Sequence, residues 1–152
     1  MAYEEKFMKK ALALARKAYE QDEVPVGAVI VKDGKVITSA YNKRESSQDA
    51  TAHAEILAIK KACKKLNDFR LLGAELYVTL EPCVMCTGAI LNARIERVYF
   101  GASITNGSIS AEELVQRAEL NHKTEIVGGF MKNDCSALVS EYFKGKRKQK
   151  KD

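Results

Sequence analysis

The order of apolar patterns along the 152 residues predicts an α/β domain, a three-layer α-β-α arrangement with one five-stranded mixed sheet between helices. Three observations carry this. Helix-like and strand-like periods follow one another as α-β-β-α-β-α-β-α-β-α. The run Val26 to Lys32 is almost wholly apolar and rich in β-branched residues, as a strand buried on both faces must be. A strand at 75–80, a helix, and a strand at 96–100 form a crossover unit, which requires a parallel pair.

Residues 3–21 read as a helix, because Phe7, Ala11, Leu14, Ala15 and Ala18 recur at helical spacing; Pro25 stops it. Asp33-Gly34 is a tight-turn signal, so 26–32 and 35–41 form a hairpin. Gly27 inside the first strand implies a bulge, a close approach of backbone to a ligand, or simple hairpin packing. Residues 42–50 are a polar loop, after which Asp49 or Thr51 caps a helix over about 52–66. Ile56, Ile59, Ala62, Cys63 and Leu66 mark its expected core face. Lys60, Lys61, Lys64 and Lys65 fall in its second half, where the helix dipole favours them, as a solvated face or an RNA contact. After a connection at 67–73, the 75–80 strand ends at Glu81-Pro82 and delivers Cys83 to a helix over 84–93. Past the strand at 96–100, residues 103–109 are loop. Ser110 caps a helix to about Leu120, a short strand spans 124–127, and a last helix spans 134–144 with Leu138, Val139, Tyr142 and Phe143 inward.

One domain, residues 1–143, accounts for the core-forming part. Hydrophobic content of 46% against 30% charged is that of a globular chain rather than a disordered one. The net charge of +5 is uneven: residues 144–152 hold six bases and one acid, while the rest balances at 19 of each. This basic tail is either a contact for a polyanion or a solvated terminus. No apolar run has the length of a membrane span, so no membrane partner is expected. The first residues mix acids and bases without an apolar leader core. Four cysteines, two of them in a metal-binding pattern, suit a reducing, cytoplasmic setting, with Cys63 and Cys135 as small buried hydrophobes.

The chemistry concentrates in Thr51-Ala52-His53-Ala54-Glu55 and in Leu80-Glu81-Pro82-Cys83-Val84-Met85-Cys86. One imidazole and two thiolates suit zinc. The other candidates, His122, Cys63 and Cys135, have no ligand spacing to these three, so the fourth position is left for water. Zinc lowers the pKa of such a water from about 15.7 to about 7. Residues two apart on a helix point to different faces, so Glu55 does not ligate the ion of His53 but reaches the water beside it. There it can take a proton and return it to a leaving group. A zinc knuckle or a redox Cys-x-x-Cys pair explains neither His-x-Glu nor Pro82. His-x-Glu with Pro-Cys-x-x-Cys is the known signature of zinc nucleobase deaminases.

With Val24-Pro25-Val26-Gly27-Ala28, Asn42, Asn67 to Leu71 and the run from Leu76 to Ala102, the sequence resembles the cytidine/nucleotide deaminase superfamily. Within it, the match is to the bacterial tRNA adenosine deaminases, from Lys10 to Ala102 without an evident gap, with later landmarks at Asn121-His122 and Tyr142-Phe143-Lys144. The resemblance implies a cytidine deaminase-like fold, a homodimer, one zinc ion per chain, and hydrolysis of adenosine to inosine at the wobble position of a tRNA anticodon arm. Carried over by residue, it implies zinc on His53, Cys83 and Cys86 and a proton shuttle at Glu55. The flipped-out base would meet Asn42 and Val26, with RNA contacts at Asn121 and phosphate contacts at Lys144, Lys146 and Arg147. The chain departs from the family after Ala102. An Asp-x-Lys segment is usual there, and Ser103-Ile104-Thr105-Asn106-Gly107-Ser108 replaces it. Val127-Gly128-Gly129-Phe130 is similar to relatives acting on free bases. A free nucleobase or nucleoside deaminase, of guanine or cytosine type, is therefore the alternative. A nucleic-acid-binding or zinc-structural module without turnover would have no use for Glu55.

Overall fold

The structure is a computed structural model that describes residues 2–104, 109–119 and 122–151. Its elements follow the expected order: α1 (Glu5–Glu20), β1 (Gly27–Lys32), β2 (Lys35–Tyr41), α2 (Ala54–Leu66), β3 (Ala74–Leu80), α3 (Val84–Asn92), β4 (Arg97–Ala102), α4 (Ala111–Arg117), β5 (Glu125–Val127) and α5 (Lys132–Lys151). The sheet order is β2-β1-β3-β4-β5. β1 runs antiparallel to both β2 and β3, whereas β3, β4 and β5 are parallel. The hairpin turn places Asp33 and Gly34 at φ 53° and 74°, the two positive values a tight primed turn needs.

Alternation along the strands builds two cores. Ala28 and Ile30 of β1, Leu76 and Val78 of β3, and Val98 of β4 pack with Ala54, Ala58, Ile59 and Ala62 of α2 and Ile90 of α3. Val29, Val31, Tyr77 and Tyr99 point the other way, to Phe7, Met8 and Ala11 of α1. Cys135 of α5 joins Leu12 and Ala102 beside them. The helices that carry the metal motif thus share one face of the sheet, and β1 is buried on both faces as its composition demands.

Several local expectations are corrected. α2 begins at Ala54, with His53 at its N-cap, and makes no side-chain cap. Asp49 instead accepts from the Thr51 N–H (2.9 Å) and hydroxyl (2.8 Å), closing a turn before the helix. The inward stripe of α2 is alanine-rich, because small side chains let the helix lie close on β1 and β2; Ile56 is only half-buried and Leu66 is exposed. Cys63 is half-buried rather than buried, its thiol facing the Phe69 carbonyl at 3.6 Å, whereas Cys135 is buried. All four lysines of the cluster are exposed, and two of them, Lys61 and Lys65, also donate to the carbonyls of Ser39 and Ile37 along β2, an edge strand. α4 stops at Arg117, with Ser110 capping it through the Glu113 N–H at 3.1 Å. α5 starts two residues early and continues through Lys151, so the basic stretch is helical. Phe143 on it is 46% exposed and outside the core.

Gly27 marks a close approach, but to α1 and not to a ligand. A β-carbon there would overlap the Ala11 carbonyl oxygen and lie 2.8 Å from the Ala15 nitrogen. The register shift of the hairpin falls instead between Ile30 and Val31. Because backbone cannot yield as a side-chain tip can, Gly27→Ala is expected to cost about 3 kcal/mol. Urea unfolding should show a lower midpoint at an unchanged m-value; a midpoint equal to the parent's would contradict so tight a contact.

Candidate metal centre and substrate cavity

Two helix starts meet at the end of the sheet where β3 finishes. His53 is the N-cap of α2 and Cys83 the N-cap of α3, both with extended backbone (φ −73°, ψ 151° and φ −72°, ψ 177°). Pro82 forbids helix before Cys83, so the thiol sits at the first open turn, and Cys86 follows in that turn, fully buried. The Nδ1 of His53 lies 3.7 Å from the Cys83 Sγ and 3.6 Å from the Cys86 Sγ, and all three donor atoms lie within 4.8 Å of one another. A tetrahedral zinc with bonds of about 2.0 Å to nitrogen and 2.3 Å to sulfur sets its donors about 3.5 to 3.8 Å apart. The two nitrogen–sulfur separations therefore already match what zinc requires. No fourth His, Cys, Asp or Glu joins the group among the described residues.

The three groups also shift one another's protonation. A hydrogen bond from Cys86 and the nearby His53 pull the Cys83 thiol down to about 4. The same bond, with burial, drives Cys86 upward. His53 is raised, chiefly by its hydrogen bond to Cys83.

Glu55 is 4% exposed, and burial raises its carboxyl from the ordinary 4.5 to about 7, with the Cys83 thiolate adding to the shift. A group poised there can accept and release a proton at neutral pH.

His53, Glu55 and Cys83 open into a cavity of about 840 Å³. Val26 and Asn42 stand side by side in its wall because the Asn42 N–H donates to the Val26 carbonyl at 3.1 Å, extending the hairpin ladder by one rung. Ser103, Ile104 and Ile109 form another wall. Arg44, Phe143, Lys144 and Arg147 also line the cavity, the two arginines and the lysine bringing positive charge to it. Of the tail bases, then, Lys144 and Arg147 face the cavity and Lys146 does not. Lys146 pairs with Asp22 at 2.7 Å, where the Tyr142 hydroxyl also donates to the Asp22 carbonyl at 3.3 Å. Asn121 lies outside the described residues.

Sequence reading missed Arg44 and the glutamate that places it. Glu23 is fully buried, and its carboxylate accepts from the N–H groups of Glu45 (2.9 Å) and Ser46 (2.7 Å). No local pattern announces a bond across 22 residues. Glu23→Ala leaves those two donors without their charged partner and is expected to cost about 3 kcal/mol, read by thermal unfolding. An unchanged melting temperature would show that water replaces the carboxylate.

The sequence pattern of the MafB19-like deaminases matches residues 3–134. The tRNA-specific adenosine deaminase of Bacillus subtilis is 46% identical over 153 aligned positions, which cover 99% of this chain and 95% of that protein. A solved structure from work on A-to-I editing by tRNA deaminases at the wobble position of transfer RNA superposes with a TM-score of 0.84. It is 43% identical and matches 89% of this chain and 99% of its own. A guanine deaminase from Nitrosomonas europaea superposes with a TM-score of 0.80 at 26% identity, covering 93% of this chain and 85% of that one.

Proposed function

The chain belongs to the MafB19-like deaminases and, within them, to the tRNA-specific adenosine deaminase family, and from that premise we propose that it hydrolyses adenosine to inosine at the wobble position of a tRNA anticodon. The observation that carries this is the pairing of a three-donor zinc site with a buried, neutral-range carboxyl in a cavity bearing positive charge. His53, Cys83 and Cys86 would hold one zinc ion, which when bound supplies water acidic enough to be hydroxide at neutral pH.

Glu55 takes the proton from the attacking water. As the oxygen bonds to C6 of adenine, Glu55 passes a proton to a ring nitrogen. Glu55 then takes the remaining proton of the added hydroxyl and gives it to the amino group; the C–O bond becomes C=O as the C–N bond breaks, ammonia leaves and the keto product remains. Asn42 offers its amide to the base edge, and Val26 packs against the base from beside it. Reaching this cavity requires the nucleotide to leave its stack, which costs least in an anticodon loop. Lys144, Arg147 and Arg44 are suited to the flanking phosphates. The thiolate ligand pair calls for the reducing conditions of a cytoplasm. We also read the chain as a homodimer, since Leu66, Phe69, Leu72, Val84 and Met85 are large exposed apolar residues at α2, α3 and their connection. Sedimentation of a monomer at micromolar concentration would refute that. No described helix is long and apolar enough to cross a membrane.

The uncharged 103–108 segment favours the second reading, a deaminase of free guanine or cytosine. The deciding experiment gives the zinc-loaded protein an anticodon stem-loop with wobble adenosine, beside free bases and nucleosides. Inosine in the stem-loop with free bases untouched is the expected result. Consumption of free guanine or cytosine with intact RNA would overturn the proposal. RNA binding should also distinguish the tail residues. Replacing Lys144 and Arg147 together with Ala should flatten the slope of log affinity against log salt by about 1 to 2, since each phosphate contact contributes about 0.7 to 0.9. Lys146→Ala should leave the slope nearly unchanged, and equal effects of the two changes would contradict the placement.

A further inference from the structure

Glu81 stands between the metal ligands and the substrate wall, and neither the motif chemistry nor the proton transfers use it. We propose that Glu81 is a positioning residue that locks the wall formed by Ser103, Ile104 and Ile109 to the turn carrying Cys83. The identification of what that wall touches rests on the deaminase reading above; the clamp itself is geometric.

The carboxylate is 6% exposed and accepts two backbone N–H groups from one connection. Oε1 takes the Ile104 N–H at 3.1 Å, and Oε2 takes the Ala111 N–H at 2.8 Å. These residues lie near the two ends of the connection from β4 to α4. The Glu81 N–H in turn donates to the Ala102 carbonyl at 2.8 Å, continuing the β3–β4 ladder one residue past the Leu80–Ala102 pair. Glu81 is therefore fixed to the sheet through its backbone and to the connection through both carboxylate oxygens. Two residues on comes Cys83, with Pro82 between as a stiff link. Any movement of Ile104 relative to the metal ligands must break a charge-assisted bond that no water can easily replace in so buried a place. This is also the stretch where the chain departs from the expected family pattern, so the wall is held even though its Asp-x-Lys charges are missing.

Two variants test the clamp from opposite sides. Glu81→Gln keeps size but offers one acceptor oxygen and an NH₂ group, so one of the two backbone donors must lose its partner. Ala111→Pro removes a donor and leaves Glu81 intact. Ala111 is the first residue of α4, where proline is favoured, and Ser110 already has the extended backbone (φ −70°, ψ 152°) that a following proline demands. Both full-length variants would be examined with zinc. In Glu81→Gln, amide hydrogen exchange at Ile104 and Ala111 should quicken about tenfold or more. In Ala111→Pro, exchange should quicken at Ile104. Zinc should stay at one per chain. KM should rise about tenfold in both, with kcat changed less than threefold. Unaltered exchange at these amides overturns the proposal, as does loss of zinc in step with activity, or a fall in kcat at constant KM. A Glu81→Gln effect that Ala111→Pro fails to reproduce also overturns it, and if Glu81→Gln does not fold, the proline variant decides alone. Exchange is read without substrate, so it stands apart from the tRNA assignment. Should RNA prove inert, KM is measured on whichever free base the parent consumes.

Discussion

Glu55→Gln is expected to lower kcat by about 10³-fold or more while zinc remains at one per chain. Positioned proton transfer is worth about 10² to 10⁴, and Glu55 is asked to make more than one transfer per turnover. Glutamine matches its size and polarity but cannot carry a proton between water and base. Retention of more than a tenth of the parent's rate would mean that another group moves the proton.

The same change should stabilise the metal-free protein. Burial raises the Glu55 carboxyl to about 7 from 4.5. Between those values the folded state binds more protons than the unfolded state, so stability from this group falls as pH rises through that window. Above pH 7 the deficit is complete and on the order of 3 kcal/mol. The glutamine variant should therefore be the more stable of the two at pH 8, and the difference should vanish below about pH 4.5. Urea unfolding of both chelated proteins at several pH values measures this. A constant difference across that range would show that the Glu55 carboxyl does not titrate as its burial implies.

Cys83→Ala, and likewise Cys86→Ala, is expected to abolish stoichiometric zinc and with it all turnover. Three donors gathered within 4.8 Å of one another bind the ion with little rearrangement, and removing one leaves a two-donor site. Atomic absorption after dialysis should find less than about a tenth of an equivalent of zinc, and the stabilisation that bound metal gives the parent should disappear. Full zinc occupancy in either variant would end the ligand assignment. A second measurement comes from the thiols themselves. With Cys83 held down to about 4, the metal-free parent should be alkylated at Cys83 well below pH 7, and zinc should protect it. Alkylation first at Cys63, whose thiol burial raises, would contradict that pattern.

The order of elements was legible because it rests on period and punctuation. Val26 to Lys32 had to be a doubly buried strand, Pro25 had to end the helix before it, and Pro82 had to open the helix that follows β3. The start of α2 and both ends of α5 were not legible. Helix propensity does not say where a chain leaves its neighbours, and the tail of α5 continues as helix along the cavity wall. The core face of α2 was only partly legible for a related reason: Ile59 and Ala62 are buried as expected, but Ile56 and Leu66 are not. Large apolar residues suggested it, but close packing on the sheet selected the alanines.

By itself, the sequence picked out His53, Cys83 and Cys86 as candidate donors, and the fold brings these three together at two adjacent helix starts. It also determined that Glu55 accompanies them. Only the tertiary structure decided which tail bases face the cavity, because Lys144 and Arg147 part from Lys146 by rotation around α5 and by its pairing with Asp22. Only the tertiary structure revealed the buried carboxylates of Glu23 and Glu81, whose backbone partners lie more than 20 residues away. Motif chemistry is written in residue types at short range, whereas a bond to a distant backbone N–H leaves no mark on the residue that donates it, since every residue but proline carries the same group.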